Sequence, residues 1–232
     1  MENLKRTVRS SPFIYLNYQL LKPSKRKLVV TRNTNLVVEG FPRCANSYTV
    51  HLIEYLLKKH NISDFKIGHH LHSIAQIKRA KKHNIPCVIL IRDPTQAIAS
   101  YLIRSNMSSV NQLLKEYLHF YTKISEINFQ FVLVDFNEVI SDINILINRV
   151  NLRFNLDLPL FIERDKDEVI NYMTRVSEEK YSNNRSKYSV PNREKEIEKK
   201  LVLKQINDSE KNNLLREASE LYNELKLTFI EK

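Results

Sequence analysis

Four short apolar, β-rich runs separated by helical stretches constrain this chain more than anything else in it. Residues 35–39, 65–67, 87–91 and 129–135 read as strands, and residues 46–60, 73–83, 94–104 and 110–127 read as helices. Val50, Ile53, Leu56 and Leu57 share one face of the first helix, and Val139, Ile140, Ile143, Leu146, Ile147 and Val150 keep helical spacing after the last strand. Strands that alternate with helices build a mostly parallel sheet covered on both faces, a three-layer α/β/α sandwich. A length of 232 residues with 42% hydrophobic content suffices for one core. A single domain over 1–232 is therefore expected, with its core at about 35–160 and a basic C-terminal part at 161–232.

Ligands of such sheets bind outside the carboxyl ends of the strands, and Gly40, Gly68, Arg92 and Asp135 each follow a proposed strand. The chain has only two glycines, where ordinary usage would give roughly 16. Gly40 is thus expected to be needed for its backbone. It leads into Phe41-Pro42-Arg43-Cys44-Ala45-Asn46-Ser47-Tyr48-Thr49, a strand, a turn and a helix start. The unpaired N–H groups and the dipole at such a start favour an anion. Arg43 adds a charge suited to phosphate or sulfate, and Ser47 and Thr49 add hydroxyls. An ordinary structural turn would look similar on this stretch alone.

The spacing is similar to a P-loop, but Ala45 and Asn46 stand where its second glycine and its lysine would be. Without that lysine, hydrolysis of ATP or GTP is not expected. A second motif follows the apolar run Cys87 to Ile91: Arg92-Asp93-Pro94, then Ser100 two turns into the next helix. Pro94 suits a helix start because its missing N–H would be unpaired there. An arginine and a hydroxyl can then converge on one phosphate.

Together these segments resemble the sulfotransferases. Pro42-Arg43-Cys44-Ala45-Asn46-Ser47 resembles their 5′-phosphosulfate loop, with Cys44 and Ala45 departing from its Ser-Gly, and Arg92-Asp93-Pro94 with Ser100 resembles their 3′-phosphate motif. The resemblance covers about residues 35–140 plus a late segment, Tyr188-Ser189-Val190-Pro191-Asn192-Arg193. It implies a P-loop-type fold and sulfuryl transfer from 3′-phosphoadenosine 5′-phosphosulfate to a hydroxyl or amine acceptor, with a carbohydrate the first guess. Arg43, Cys44, Ala45, Asn46, Ser47, Tyr48, Arg92, Ser100, Ser189 and Arg193 are the implied nucleotide contacts, joined by Arg185 and Lys187. Arg43 would also steady the departing phosphate.

For a base, the histidines of Gly68-His69-His70-Leu71-His72-Ser73 titrate near neutral pH. His70 and His72 are the candidates, His70 first. Three close histidines also suit a helix cap or an adventitious metal, but no Cys, Asp or Glu completes a set nearby, and no metal is expected to be required.

The excess of 37 Lys and Arg over 26 Asp and Glu implies anionic partners without saying which. An anionic nucleotide and a hydroxyl-bearing acceptor are expected rather than nucleic acid. No apolar run approaches a membrane span of about 18 residues, and Met1-Glu2-Asn3-Leu4-Lys5-Arg6 lacks the apolar region expected of a secretory signal. With two cysteines that show no disulfide or metal spacing, a cytoplasmic setting is expected. Two other classes stay open. A small-molecule or nucleoside kinase would need Mg²⁺-dependent ATP turnover, and a non-catalytic basic binding protein would show steeply salt-dependent binding to polynucleotides.

Overall fold

The computed structural model describes residues 11–104, 109–181, 197, 202, 203, 206 and 213–229. Four strands, β1 (Leu36–Gly40), β2 (Ile67–His69), β3 (Cys87–Ile91) and β4 (Val132–Asp135), form an all-parallel sheet in the order β2-β1-β3-β4. The helices are α1 (Pro12–Leu20), α2 (Pro23–Arg26), α3 (Asn46–Lys59), α4 (Ile74–Lys82), α5 (Pro94–Arg104), α6 (Val110–Ser125), α7 (Phe136–Ser141), α8 (Ile143–Phe154), α9 (Lys166–Tyr181) and α10 (Asn213–Phe229). The molecule is the expected α/β sandwich, with an all-parallel sheet.

β1, β3 and β4 are buried along their whole length, as the central strands β1 and β3 of a sheet covered on both faces must be. From β1 the chain crosses to β2 on one side and later to β3 on the other. Right-handed crossovers then place α3 on one face and α4 with α6 on the opposite one. The packing agrees: α3 meets α9, while α4 meets α1 and α6, and α6 meets α10. The reversal of direction opens a crevice between the carboxyl ends of β1 and β3, the usual ligand position of such folds.

Several boundaries differ from the sequence reading. β2 lies at Ile67–His69 rather than 65–67, so Gly68 is inside the strand, paired with Val37 and packed against Val30. β4 begins at Val132 rather than at residue 129. The helical spacing of 139–150 is two helices, because Asp142 ends α7 and its carboxylate caps α8 through Asn144 N. Residues 1–34 carried no usable signal, yet α1 buries Leu16 and Gln19. Arg79 of α4 clamps it by bonds to the Pro12 carbonyl at 2.5 Å and Asn17 Oδ1 at 3.1 Å.

The polar stretch after residue 165 is helical through Tyr181. Val169, Met173 and Ser177, spaced by four, are its buried positions, a stripe too narrow and polar to stand out in sequence. In α10 the inward residues are Ala218, Tyr222 and Leu225. Among the described residues no helix is long and apolar enough to cross a membrane.

Candidate functional site

Gly40 ends β1 beside Leu90 of β3. A Cβ placed on Gly40 would collide with the Leu90 carbonyl oxygen and come within 3.2 Å of Asn46 Oδ1. The rare glycine is therefore needed for closeness of approach rather than for an unusual φ. Tyr121 of α6 pins the next residues: its hydroxyl donates to the Leu90 carbonyl at 2.7 Å and accepts from Phe41 N at 3.2 Å. Asn46 Nδ2 donates to the Phe41 carbonyl at 3.0 Å, which closes the turn on itself.

Arg43 and Ala45 take left-handed backbone, at φ 74° and 67°. Such a conformation costs an L-residue roughly 1–2 kcal/mol. Ala45 occupies the position at which the P-loop pattern has glycine, so the loop keeps that pattern's path without its residue. Ala45→Gly is expected to stabilise the protein by about 0.5–1 kcal/mol, read as a higher urea midpoint with an unchanged slope. A lower midpoint would show that the Ala45 methyl makes packing worth more than the strain.

The first internal hydrogen bond of α3 runs from Thr49 N to the Ala45 carbonyl at 2.9 Å. The N–H groups of Asn46, Ser47 and Tyr48 precede it and open the helix toward the crevice. Above them, Arg43 Nε donates to Ser100 Oγ at 3.0 Å, and Arg92 Nη1 donates to the Arg43 carbonyl at 2.9 Å. Arg92 is 9% exposed as a residue, and its guanidinium carbon lies 3.6 Å from the centre of the Phe136 ring. Tyr117 of α6 fixes the same corner by donating to the Arg92 carbonyl at 2.8 Å. Residues from β1, β3 and α5 thus gather donors and positive charge at one point, the chemistry an anion needs.

The histidine turn closes the other side. His70 and His72 also have left-handed backbone, at φ 56° and 47°. His70 Nε2 lies 2.8 Å from Ser47 Oγ, its Nδ1 meets His69 Nδ1, and its ring stacks with that of His51. His72 Nδ1 is 2.8 Å from the Gly40 carbonyl. A carbonyl only accepts, so Nδ1 carries the proton and Nε2 is the basic nitrogen of the neutral ring.

Beneath this turn sits Glu39, 0% exposed. It accepts from Leu71 N at 2.9 Å, His72 N at 2.8 Å and Gln76 Nε2 at 3.3 Å. Burial pushes its carboxyl from the ordinary 4.5 up to about 8, against the downward pull of those donors. A carboxyl whose folded pKa is raised adds stability that is fully present below the unfolded value and is lost as pH rises through the folded one. Unfolding free energy is therefore expected to fall between about pH 4.5 and 8, by roughly 1.4 kcal/mol per unit. Glu39→Gln should remove that slope; an unchanged slope would contradict the assignment.

Of the expected contacts, Arg92 and Ser100 both bond to Arg43, Ser47 meets His70, and His72 meets the Gly40 carbonyl, all around the turn that follows β1. Cys44 and Asn46 turn their side chains inward, and only their backbone can face a ligand. Cys44 is fully buried against Tyr121, and burial pushes its thiol up to about 12, so it is no nucleophile. Tyr48 is half-buried in the first turn of α3. Arg185, Lys187, Ser189 and Arg193 lie outside the described residues. Sequence reasoning missed Glu39, Tyr117, Tyr121 and Phe136. Only Glu39 left a signal, a lone charge inside Leu36-Val37-Val38-Glu39-Gly40. Among the described residues no three His, Cys, Asp or Glu side chains converge as a metal set.

No model of a known protein family matches the chain, and no curated protein matches its sequence. Among solved structures, the crystal structure of mouse sulfotransferase SULT7A1 complexed with PAP is similar over 72% of this chain and 71% of that one. The identity is 12% and the TM-score 0.41, a distance at which neither family nor activity is assigned.

Proposed function

We propose that the protein transfers a sulfuryl group from 3′-phosphoadenosine 5′-phosphosulfate to a hydroxyl or amine acceptor. The observation that carries this is the convergence of Arg43, Arg92, Ser100 and the opening N–H groups of α3 at the switch point of the sheet. All are donors, which fits a ligand with phosphate at two ends. Arg92 and Ser100 would hold the 3′-phosphate. Arg43 and the N–H groups of Asn46 to Tyr48 would take the charge that collects on the 5′-phosphate as the sulfur–oxygen bond breaks. The new bond joins sulfur to the acceptor oxygen or nitrogen, and the acceptor proton passes to a histidine.

His72 is better placed for that proton than His70. The Gly40 carbonyl fixes the proton of His72 on Nδ1 and so makes Nε2 its basic nitrogen, whereas the partners of His70, Ser47 Oγ and His69 Nδ1, fix no tautomer. His70 then orients the Ser47 hydroxyl at the helix start. A lysine at position 46 would favour a kinase, but Asn46 is buried and bonded to the Phe41 carbonyl.

The test is donor turnover. Incubation with the phosphosulfate donor and a panel of hydroxyl and amine acceptors, without Mg²⁺, should release adenosine 3′,5′-bisphosphate together with a sulfated product. Mg²⁺-dependent turnover of ATP with none of the sulfuryl donor would contradict the proposal.

A further inference from the structure

Glu39 is a charged side chain inside the buried sheet, and the chemistry above makes no direct use of it. Each hydrogen bond at its carboxyl comes from a donor: Leu71 N, His72 N and Gln76 Nε2. A carboxylate accepts only, so the set matches its ionised form. The two N–H groups belong to the turn in which His70 and His72 hold left-handed backbone. Neither position carries the glycine that adopts this backbone without cost, although histidine takes it more often than most residues do. Charge-assisted bonds of this kind are strong enough to hold it.

We propose that Glu39 is the positioning residue of the histidine turn: its carboxylate anchors the backbone of Leu71 and His72 to β1 and so holds the His72 ring as the Nδ1–H tautomer against the Gly40 carbonyl. Glu39 touches no substrate and acts through His72. Its relevance to turnover rests on the proposed role of His72 as base, whereas the anchoring is measurable without turnover.

Four groups face the carboxyl from the elements packed on it. They are the His72 ring, with Nδ1 4.0 Å from Oε2, Gln76 of α4, Cys87 of β3 and the N–H of Gly40. Gln76 is uncharged and is itself held by Val30 N and the Leu28 carbonyl. Burial pushes the Cys87 thiol up, which keeps it neutral. His72 is thus the one neighbour in this set that can report the charge on Glu39. Protonation would place an O–H among donors and loosen the clamp, so the turn is firmest on the alkaline side of about pH 8.

The experiment is ¹⁵N-resolved NMR of the imidazoles in the full chain and in Glu39→Gln, from about pH 6 to 10, with calorimetric titration of adenosine 3′,5′-bisphosphate alongside. In the wild type His72 is expected as one tautomer, Nδ1–H, with a second inflection near pH 8. Glu39→Gln should shift it toward Nε2–H, the form free imidazole prefers, and abolish that inflection. A folded Glu39→Gln protein with the wild-type His72 tautomer would overturn the proposal. If that variant does not fold, the wild-type titration decides, and a His72 signal without the second inflection overturns it. Failure of the wild type to bind the bisphosphate defeats the nucleotide site instead, and the tautomer result still judges the anchor.

Discussion

Replacing His72 with alanine is expected to slow sulfuryl transfer by about 100- to 10,000-fold, the usual worth of a positioned general base. Affinity for adenosine 3′,5′-bisphosphate should stay at the wild-type level. The Gly40 carbonyl fixes the proton on Nδ1, and Nε2 is then the nitrogen able to take a proton from an acceptor. His70→Ala should cost less, because His70 acts through Ser47. Single-turnover rates and binding titrations on both variants separate the roles. Full turnover in His72→Ala would remove His72 from the chemistry, and a larger loss in His70→Ala would exchange the two assignments.

Arg92→Ala is expected to weaken bisphosphate binding by about 30-fold or more, since each hydrogen bond between charged groups is worth about 1.5–3 kcal/mol. Two effects add. The guanidinium, seated on Phe136, would contact the 3′-phosphate, and its Nη1 also supports the carbonyl of Arg43. The second role means that contacts to the 5′-phosphate suffer as well. The preference for the 3′,5′-bisphosphate over adenosine 5′-monophosphate should collapse, because the 3′-phosphate loses its main partner. Arg92→Lys should not restore it, since a point charge lacks the planar fork that stacks and bonds at once. A variant with wild-type discrimination between the two nucleotides would refute the assignment.

The sheet was legible because its central strands are buried on both faces and must be apolar throughout, as Cys87 to Ile91 is. The phosphate-type loop was legible because so few glycines occur in the chain and one stands where two strands touch. Arg92 and Ser100 stand out together in sequence because Arg92 follows a strand and Ser100 lies two turns into the next helix, and in the structure both bond to Arg43. What escaped was held by contacts distant in sequence. Tyr121 reaches Phe41 across 80 positions and Leu90 across 31, and nothing local marks it as a loop support. Glu39 reads as an interruption of a strand until Leu71 and His72 come to it. The backbone of Ala45 was hidden for the opposite reason: alanine is a poor choice for left-handed backbone, and only the surrounding bonds impose it.

If the crevice between β1 and β3 holds a nucleotide with phosphates at both the 3′ and 5′ positions, calorimetric titration with adenosine 3′,5′-bisphosphate, without Mg²⁺ and with ADP and adenosine 5′-monophosphate as controls, will show it. Binding that requires the 3′-phosphate is expected, with both controls much weaker. No binding, or a preference for ADP, would contradict it.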